Sequence, residues 1–461
     1  MSKSWGGWIA EDRTRVKRLT LVALVLVIGA LAAMGERAPR ASACAFSIVP
    51  YAYEGPKDRS LNLKAMDVAA YNMIAPGDDF FGLPRLEKGL RGTRSSVEPV
   101  IPPILLKSIS WIESVTTQTT RDAPWGGIGP ALISFDCGHG IMQVTSGMTV
   151  PLGDDGRASA DQLLVATHYA YNIARGAVIL EDKWNAAPDY RPIAGTDTDS
   201  DPSIVENWYF AVWSYNGFTG PGAKRSNHPM DPVYGAWPRT PYSCGDANDG
   251  FGHNRGSYPY QELVWGCATR PPVVDGKQLW APFQLSLPDL NDARWRNPLQ
   301  LANWKSPYSG MDMPTPLPSH VDGTPKPAQS VLYSILGLPK LGVSTNSVSL
   351  NMSDSGSVAP QEVKINNLGT SVLSWGATTS ASWLTLSPPA GVAIGNDAYC
   401  LAGDACQRSG TLKITVNTSA MPSGTKRATI RVYAPQTNET QTISVSIASI
   451  GKTGVPGIVR N

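Results

Sequence analysis

The sequence predicts a multidomain chain, a mainly α domain followed by an all-β sandwich. Apolar residues recur at helical spacing from Ile101 to about Cys267, whereas short β-branched runs alternate beyond Leu341. Between the two textures lies a stretch, residues 268–340, rich in proline and poor in periodicity. Hydrophobic residues at 42% are ample for packed cores, which excludes wholesale disorder. The net charge of +2 comes from the first 43 residues; beyond them the balance is −2. No basic surface of the kind a nucleic-acid binder needs is therefore encoded.

Residues 1–43 read as a signal peptide or N-terminal anchor. Arg13, Arg15, Lys17 and Arg18 precede an apolar run from Leu19 to Gly35, and Ala41-Ser42-Ala43 offers a cleavage site before Cys44. Export to a secreted or cell-envelope location follows, with attachment to the membrane only if that segment stays uncleaved. Residues 44–94 form an N-terminal extension of the helical domain, which covers 95–290. Pro102 and Pro103 suit the first turn of a helix carrying Leu105, Ile109 and Ile112, with Glu113 beside that stripe. Ser159 and Gln162 make a capping box that opens a helix through Tyr169, Asn172, Ile173 and Gly176 toward Leu180. A third helix runs from about Glu206 to Asn216, stopped by Gly217.

Residues 291–340 read as a Pro-rich linker, 341–450 as the sandwich and 451–461 as a tail. Seven strands are expected, at 343–350, 361–365, 372–375, 383–386, 411–416, 428–432 and 442–447. Six cysteines in an exported chain imply disulfides. Cys400 pairs with Cys406 by proximity, and Cys244 with Cys267 leaves Cys44 with Cys137, although spacing alone does not fix connectivity.

Three segments of the helical domain carry the chemistry: Glu113-Ser114, then Gly140-Ile141-Met142-Gln143, then Ser214-Tyr215-Asn216-Gly217. With Asn172, Ile173 and Gly176 between the last two, their order resembles the soluble lytic transglycosylases, a peptidoglycan-cleaving branch of the lysozyme-like fold. The resemblance covers roughly residues 95–267. It departs from the family at Ile141, at Trp213-Ser214 and Phe218-Thr219 around the Tyr-Asn-Gly core, and in two long loops at 116–139 and 185–205.

Glycosidic cleavage near neutral pH needs a carboxylic acid that still holds its proton, which desolvation supplies. Glu113, following Trp111 and Ile112, fits that requirement. The resemblance implies that Glu113 acts first as acid and then as base, with the muramic acid C6 hydroxyl closing a 1,6-anhydro ring. It also implies that Ser114, Met142 and Gln143 line the cleft, that Tyr215 orients the acid, and that Asn216 binds the acetamido group. The resemblance also implies that Tyr258 or Tyr260 is the late aromatic that closes the site, with Tyr260 as the expected one. Hydrolysis of the goose-lysozyme kind would need a second carboxylate; Asp122, Asp136, Asp154 and Asp155 stand nearest in sequence. A glycan-binding protein that holds sugar without cutting it is the reading from a different class.

Asp197, Asp199 and Asp201 alternate like the start of a calcium loop, but Pro202 and Trp208 occupy the positions that need Gly and Glu. No metal or cofactor is therefore expected, and no nucleic acid; the expected partner is a peptidoglycan glycan strand. Residues 343–448 resemble a BACON-type immunoglobulin-like domain through Asn366-Asn367-Leu368-Gly369, Leu373-Ser374-Trp375 and Ala381–Pro388. That resemblance implies a module that either binds other surface glycans or acts as a spacer; at least one of Trp375 and Trp383 is expected in the sandwich core, and a fully exposed pair would favour binding.

Overall fold

The computed structural model describes residues 44–89, 94–186, 200–217, 226–244, 255–291, 319–400, 407–424 and 427–449. The leader, the Cys400–Cys406 pairing, Asp197 and Asp199, and the tail lie outside the described residues. None of the described helices is long and apolar enough to cross a membrane.

Seven α-helices are described: α1 (Ser60–Ala70), α2 (Pro103–Ser114), α3 (Ala160–Thr167), α4 (Tyr169–Asn185), α5 (Tyr209–Tyr215), α6 (Tyr260–Thr269) and α7 (Gln329–Leu336). Among and before them run three two-stranded pairs: β1 (Tyr51–Tyr53) with β4 (Ile128–Pro130), β2 (Leu86–Lys88) with β3 (Ser95–Val97), and β5 (Val273–Val274) with β6 (Lys277–Gln278). The expected fold class, a mainly α lysozyme-like domain ahead of an all-β immunoglobulin-like sandwich, needs correction. The chain is mixed, 26% helix and 24% strand in several sheets. Strands of two or three residues are too short to display an alternating pattern, which is why the helical region hid its three ladders.

Helix α2 starts at the predicted prolines and buries Leu105, Ile109, Trp111 and Ile112. Its first turn is capped from a distance: the Ile104 N–H donates to Asp322 Oδ2 at 2.9 Å. Val115 and Thr116 end it in the left-handed region, at φ 57° and 56°, which β-branched residues rarely adopt. Asn62 holds the strained turn by donating to the Thr116 carbonyl at 3.1 Å, and the Ser110 and Thr116 hydroxyls meet at 3.0 Å.

The capping box at Ser159 and Gln162 forms as expected. The long helix it opens does not: His168 is extended (φ −117°, ψ 116°), so α3 ends and α4 begins there. The His168 ring accepts from the Ala170 N–H at 3.2 Å and restarts the helix as its cap. The third predicted helix splits similarly into a 3-10 turn at Val205–Trp208 and α5.

Two sheets make the sandwich. One has the order β12-β10-β14-β15-β8 and the other β11-β13-β9-β7. Their strands are β7 (Leu341–Val343), β8 (Ser347–Met352), β9 (Gln361–Asn367), β10 (Val372–Thr379), β11 (Leu384–Ser387), β12 (Ala390–Ile394), β13 (Gly410–Val416), β14 (Arg427–Ala434) and β15 (Glu439–Ser449). Pairing is antiparallel except between β15 and β8. Nine described strands stand where seven were expected: the run expected at 343–350 is broken into β7 and β8, and β12, whose Ala-Gly-Val-Ala-Ile run carries little strand signal, is buried throughout. Trp375 and Trp383 are 0% and 3% exposed, both in the core between the sheets. Neither indole faces solvent as a sugar platform.

The sandwich and the helices belong to one compact unit, Cys44–Asn461. Val372, Val392 and Ile394 join the helical core rather than the sandwich's own. Buried hydroxyls cross the junction, Thr167 to Ser374 at 2.8 Å, and the Tyr53 phenol donates to the Tyr399 carbonyl at 2.8 Å. Two disulfides are described, Cys44–Cys137 and Cys244–Cys267.

Candidate active site

The segment Gly140–Gln143 is a tight turn, and its neighbours decide which residues it can contain. Gly140 has φ +63°, and a Cβ there would meet Gln118 Oε1 at 2.4 Å and Asn172 Nδ2 at 2.6 Å. Those two amides are the turn's supports. Asn172, on α4, accepts from the Met142 N–H at 2.8 Å and donates to the His139 carbonyl at 2.7 Å. Gln118 accepts from the Ile141 N–H at 3.2 Å. Gly176 is set by packing: a Cβ on it would lie 2.5 Å from Met142 Cβ.

Helices α2 and α5 attach to the same turn. Ser114 Oγ donates to the Ile141 carbonyl at 2.8 Å, and the Tyr215 phenol donates to the Met142 carbonyl at 2.8 Å. Helix α6 then packs against α2, and the Tyr260 phenol donates to Glu113 Oε1 at 2.5 Å. Four segments far apart in sequence thus meet around one turn and one carboxyl group.

Glu113 is part-buried and lines a cleft of about 600 Å³. Loss of hydration pushes its pKa up to about 7, against the stabilising hydrogen bond from Tyr260 and the positive charge of Arg255. The exposed Asp136 adds a smaller upward push. Burial, and next the charge of Glu113, keep the Tyr215 and Tyr260 phenols well above their ordinary range, so both are protonated donors. The group can therefore give up a proton near neutral pH and take one back.

The remaining sequence-predicted residues occupy different places. Ser114 lines the cleft beside Glu113. Met142 is fully buried, packed against Gly176. Gln143 is half-buried with its amide donating to the Gly140 carbonyl at 2.9 Å. Asn216 is exposed, and its Oδ1 accepts from Asn227 at 2.9 Å. Met142 and Tyr215 thus shape the turn from within, while Glu113 and Ser114 face the cleft. Of the four aspartates considered as a second acid, Asp136 is the one whose charge reaches Glu113. Asp155 sits instead by Arg157, which bonds the Thr379 carbonyl of the sandwich at 3.0 Å. Among the described residues no group of His, Cys, Asp or Glu is placed to hold a metal ion.

Two groups in the cleft escaped the sequence analysis. Arg255 lines it and donates to the Ile112 carbonyl. Glu54, next to β1, is 2% exposed and lines the same cleft. Its Oε2 accepts from the Gln118 and Thr119 N–H groups at 2.9 and 3.0 Å and from the Thr119 hydroxyl at 2.8 Å. Burial outweighs those bonds and pushes its pKa up to about 7. Only the pairing of β1 with β4 brings it there, a contact no local pattern announces.

No protein-family model matches the chain. No curated protein matches it either. Among solved structures it is similar to the ASH / PapD-like domain of human CEP192 (PapD-like domain 7), at 15% identity and a TM-score of 0.18. That likeness covers 24% of this chain and 85% of the other, and it carries no functional argument.

Proposed function

We propose that the chain is an exported peptidoglycan lytic transglycosylase that cleaves the β-1,4 bond between N-acetylmuramic acid and N-acetylglucosamine. The observation that carries this reading is Glu113 with its pKa near 7, held by Tyr260 at 2.5 Å on the wall of a 600 Å³ cleft. Glu113 gives its proton to the glycosidic oxygen as the bond to C1 of the muramic acid breaks. The neighbouring acetamido oxygen closes on C1 and shares the positive charge as an oxazolinium. Glu113, now a carboxylate, takes the proton of the C6 hydroxyl while that oxygen displaces the acetamido group. The product ends in 1,6-anhydro-N-acetylmuramic acid, and Glu113 is again protonated.

Through both halves of the cycle Tyr260 keeps the carboxyl oriented, and its bond strengthens when the group is charged. Arg255 assists the charged half in the same direction. The chemistry uses one carboxyl group and no cofactor.

Asp136 favours a second reading, hydrolysis of the same bond, because its charge reaches Glu113 and its side chain is exposed to water. In that case it activates water, as an inverting pair of carboxylates does. Digestion of purified peptidoglycan followed by mass spectrometry separates the readings. Anhydro ends support the transglycosylase, and reducing ends support the hydrolase. Wall binding without either product, and no difference on Glu113→Gln, assigns the chain to non-catalytic glycan binding.

A further inference from the structure

Directly after Glu113 and Ser114 the chain takes a conformation its residues disfavour. Val115 and Thr116 are β-branched, and both are left-handed, at φ 57° and 56°. A turn of that kind persists only where its surroundings hold it on both sides. Helix α2 holds one side, and Asn62 grips the Thr116 carbonyl in the middle. The far side, Gln118 and Thr119, is held by a single atom, Glu54 Oε2. It accepts both of their N–H groups and the Thr119 hydroxyl, all within 3.0 Å.

Gln118 carries that hold onward to the Gly140–Gln143 turn. It is fully buried, and its own bonds fix its orientation. Its carbonyl accepts from the Leu132 N–H at 3.0 Å. Its Nε2 donates to the Val165 and Ala166 carbonyls at the end of α3, at 3.2 and 3.1 Å. Its Oε1 is thereby left to accept the Ile141 N–H at 3.2 Å. The Ile141 carbonyl in turn accepts from Ser114 Oγ at 2.8 Å. An unbroken series of hydrogen bonds thus runs from Glu54 through Gln118 and Ile141 to Ser114, the residue next to Glu113.

We propose that Glu54 is a positioning residue for the acid: by fixing Gln118 it sets the Ile141 backbone that Ser114 grips, and so the direction of the Glu113 carboxyl. The assignment rests on Glu113 being the acid of the proposed reaction, and it extends the working site into the N-terminal extension. A carboxyl group suits the place because one of its oxygens accepts several bonds whether or not the other carries a proton. Burial pushes the Glu54 pKa up to about 7, so both forms occur near neutrality. The proton then sits on Oε1, which no described residue bonds, and the grip of Oε2 survives.

The test uses the full chain with Glu54→Leu, which removes the acceptor, and Glu54→Gln, which keeps one. Two readouts are taken below the melting temperature of each variant. One is amide hydrogen exchange of the peptide that spans the Gly140–Gln143 turn. The other is kcat and KM for release of anhydro ends from soluble glycan strands. Glu54→Leu speeds exchange in the turn about tenfold, as loss of a supporting bond does. It also lowers kcat about tenfold with KM little changed, and Glu54→Gln restores both. Where Glu54→Leu does not fold, Thr119→Val removes only the hydroxyl bond and shifts exchange and kcat the same way, about threefold. A lower melting temperature with kcat and turn exchange unaltered shows a merely structural residue and overturns the proposal. So does a loss carried by KM alone. Anhydro ends from the unmodified chain without any exchange response remove the positioning role and leave the transglycosylase reading standing. An exchange response in a chain that makes no product removes that reading and leaves the hold of Glu54 on the turn.

Discussion

Opposing influences leave the Glu113 proton near the edge of release. Burial raises its pKa, Tyr260 and Arg255 lower it, and Asp136 raises it slightly. Removing the Tyr260 donor destabilises the charged carboxylate, so Tyr260→Phe moves the loss of activity at high pH to a higher pH. Asp136→Asn moves it lower. A pH profile of muropeptide release reads both shifts; a shift of Tyr260→Phe to lower pH would contradict the assigned bond. The meeting of Glu113-Ser114 and Tyr215 with the Gly140–Gln143 turn was legible from the order of the motifs. Glu54 and Arg255 were not, because each reaches the cleft through tertiary contacts that leave no mark on neighbouring residues. Met142, expected to line the cleft, is instead fully buried, because it packs against Gly176 of α4.

The turn at Gly140–Gln143 is the joint on which α2, α4 and α5 depend. Gly176→Ala drives a methyl into Met142 and costs about 1–3 kcal/mol, as overpacking does. In a Met142→Ala background that cost shrinks, and the double-mutant cycle measured by denaturant unfolding gives the coupling. Additive costs would show that the two side chains do not meet. Asn172→Ala leaves the Met142 N–H unsatisfied, while the His139 carbonyl keeps the Val144 N–H at 3.0 Å, and costs about 1–3 kcal/mol. Helix starts were readable where a local signal exists, as at Pro102 and Ser159. The break at His168 was not, since residues on both sides keep helical periodicity and only the extended His168 backbone divides them. β12 was missed for a related reason: it is an interior strand made of small residues, and its burial is conferred by neighbours.

The sandwich is bound to the helices through Val372, Val392 and Ile394 and through the Thr167–Ser374 bond. Truncation after residue 340 therefore exposes apolar helix surface and lowers the melting temperature of what remains; an unchanged melt would show that the junction contributes nothing. Charge acts on the fold as well. Glu54 and Glu113 are pushed up to about 7, and Glu181, fully buried on α4, to about 9. Each binds its proton more tightly when folded than the ordinary carboxyl of the unfolded chain. Stability is therefore fully present below about pH 4.5 for these groups and falls as pH rises, through 7 for the first two and through 9 for Glu181. Below about pH 6.5 the buried His139, His168 and His228, whose pKa values burial lowers, act in the opposite sense, so the melting temperature declines between about pH 7 and 9, and Glu181→Gln flattens that decline. The change from helical to strand texture was readable, but the shared core was not. A residue such as Val372 reads the same whether it faces its own sheet or a helix.

The most direct test is mass analysis of the sugar ends left on peptidoglycan by the intact chain and by Glu113→Gln. Fragments lighter by one water than reducing-end muropeptides, present with the first and absent with the second, are the predicted result. Equal release by both proteins, or fragments ending only in reducing sugar, would contradict an acid that also serves as the base for ring closure.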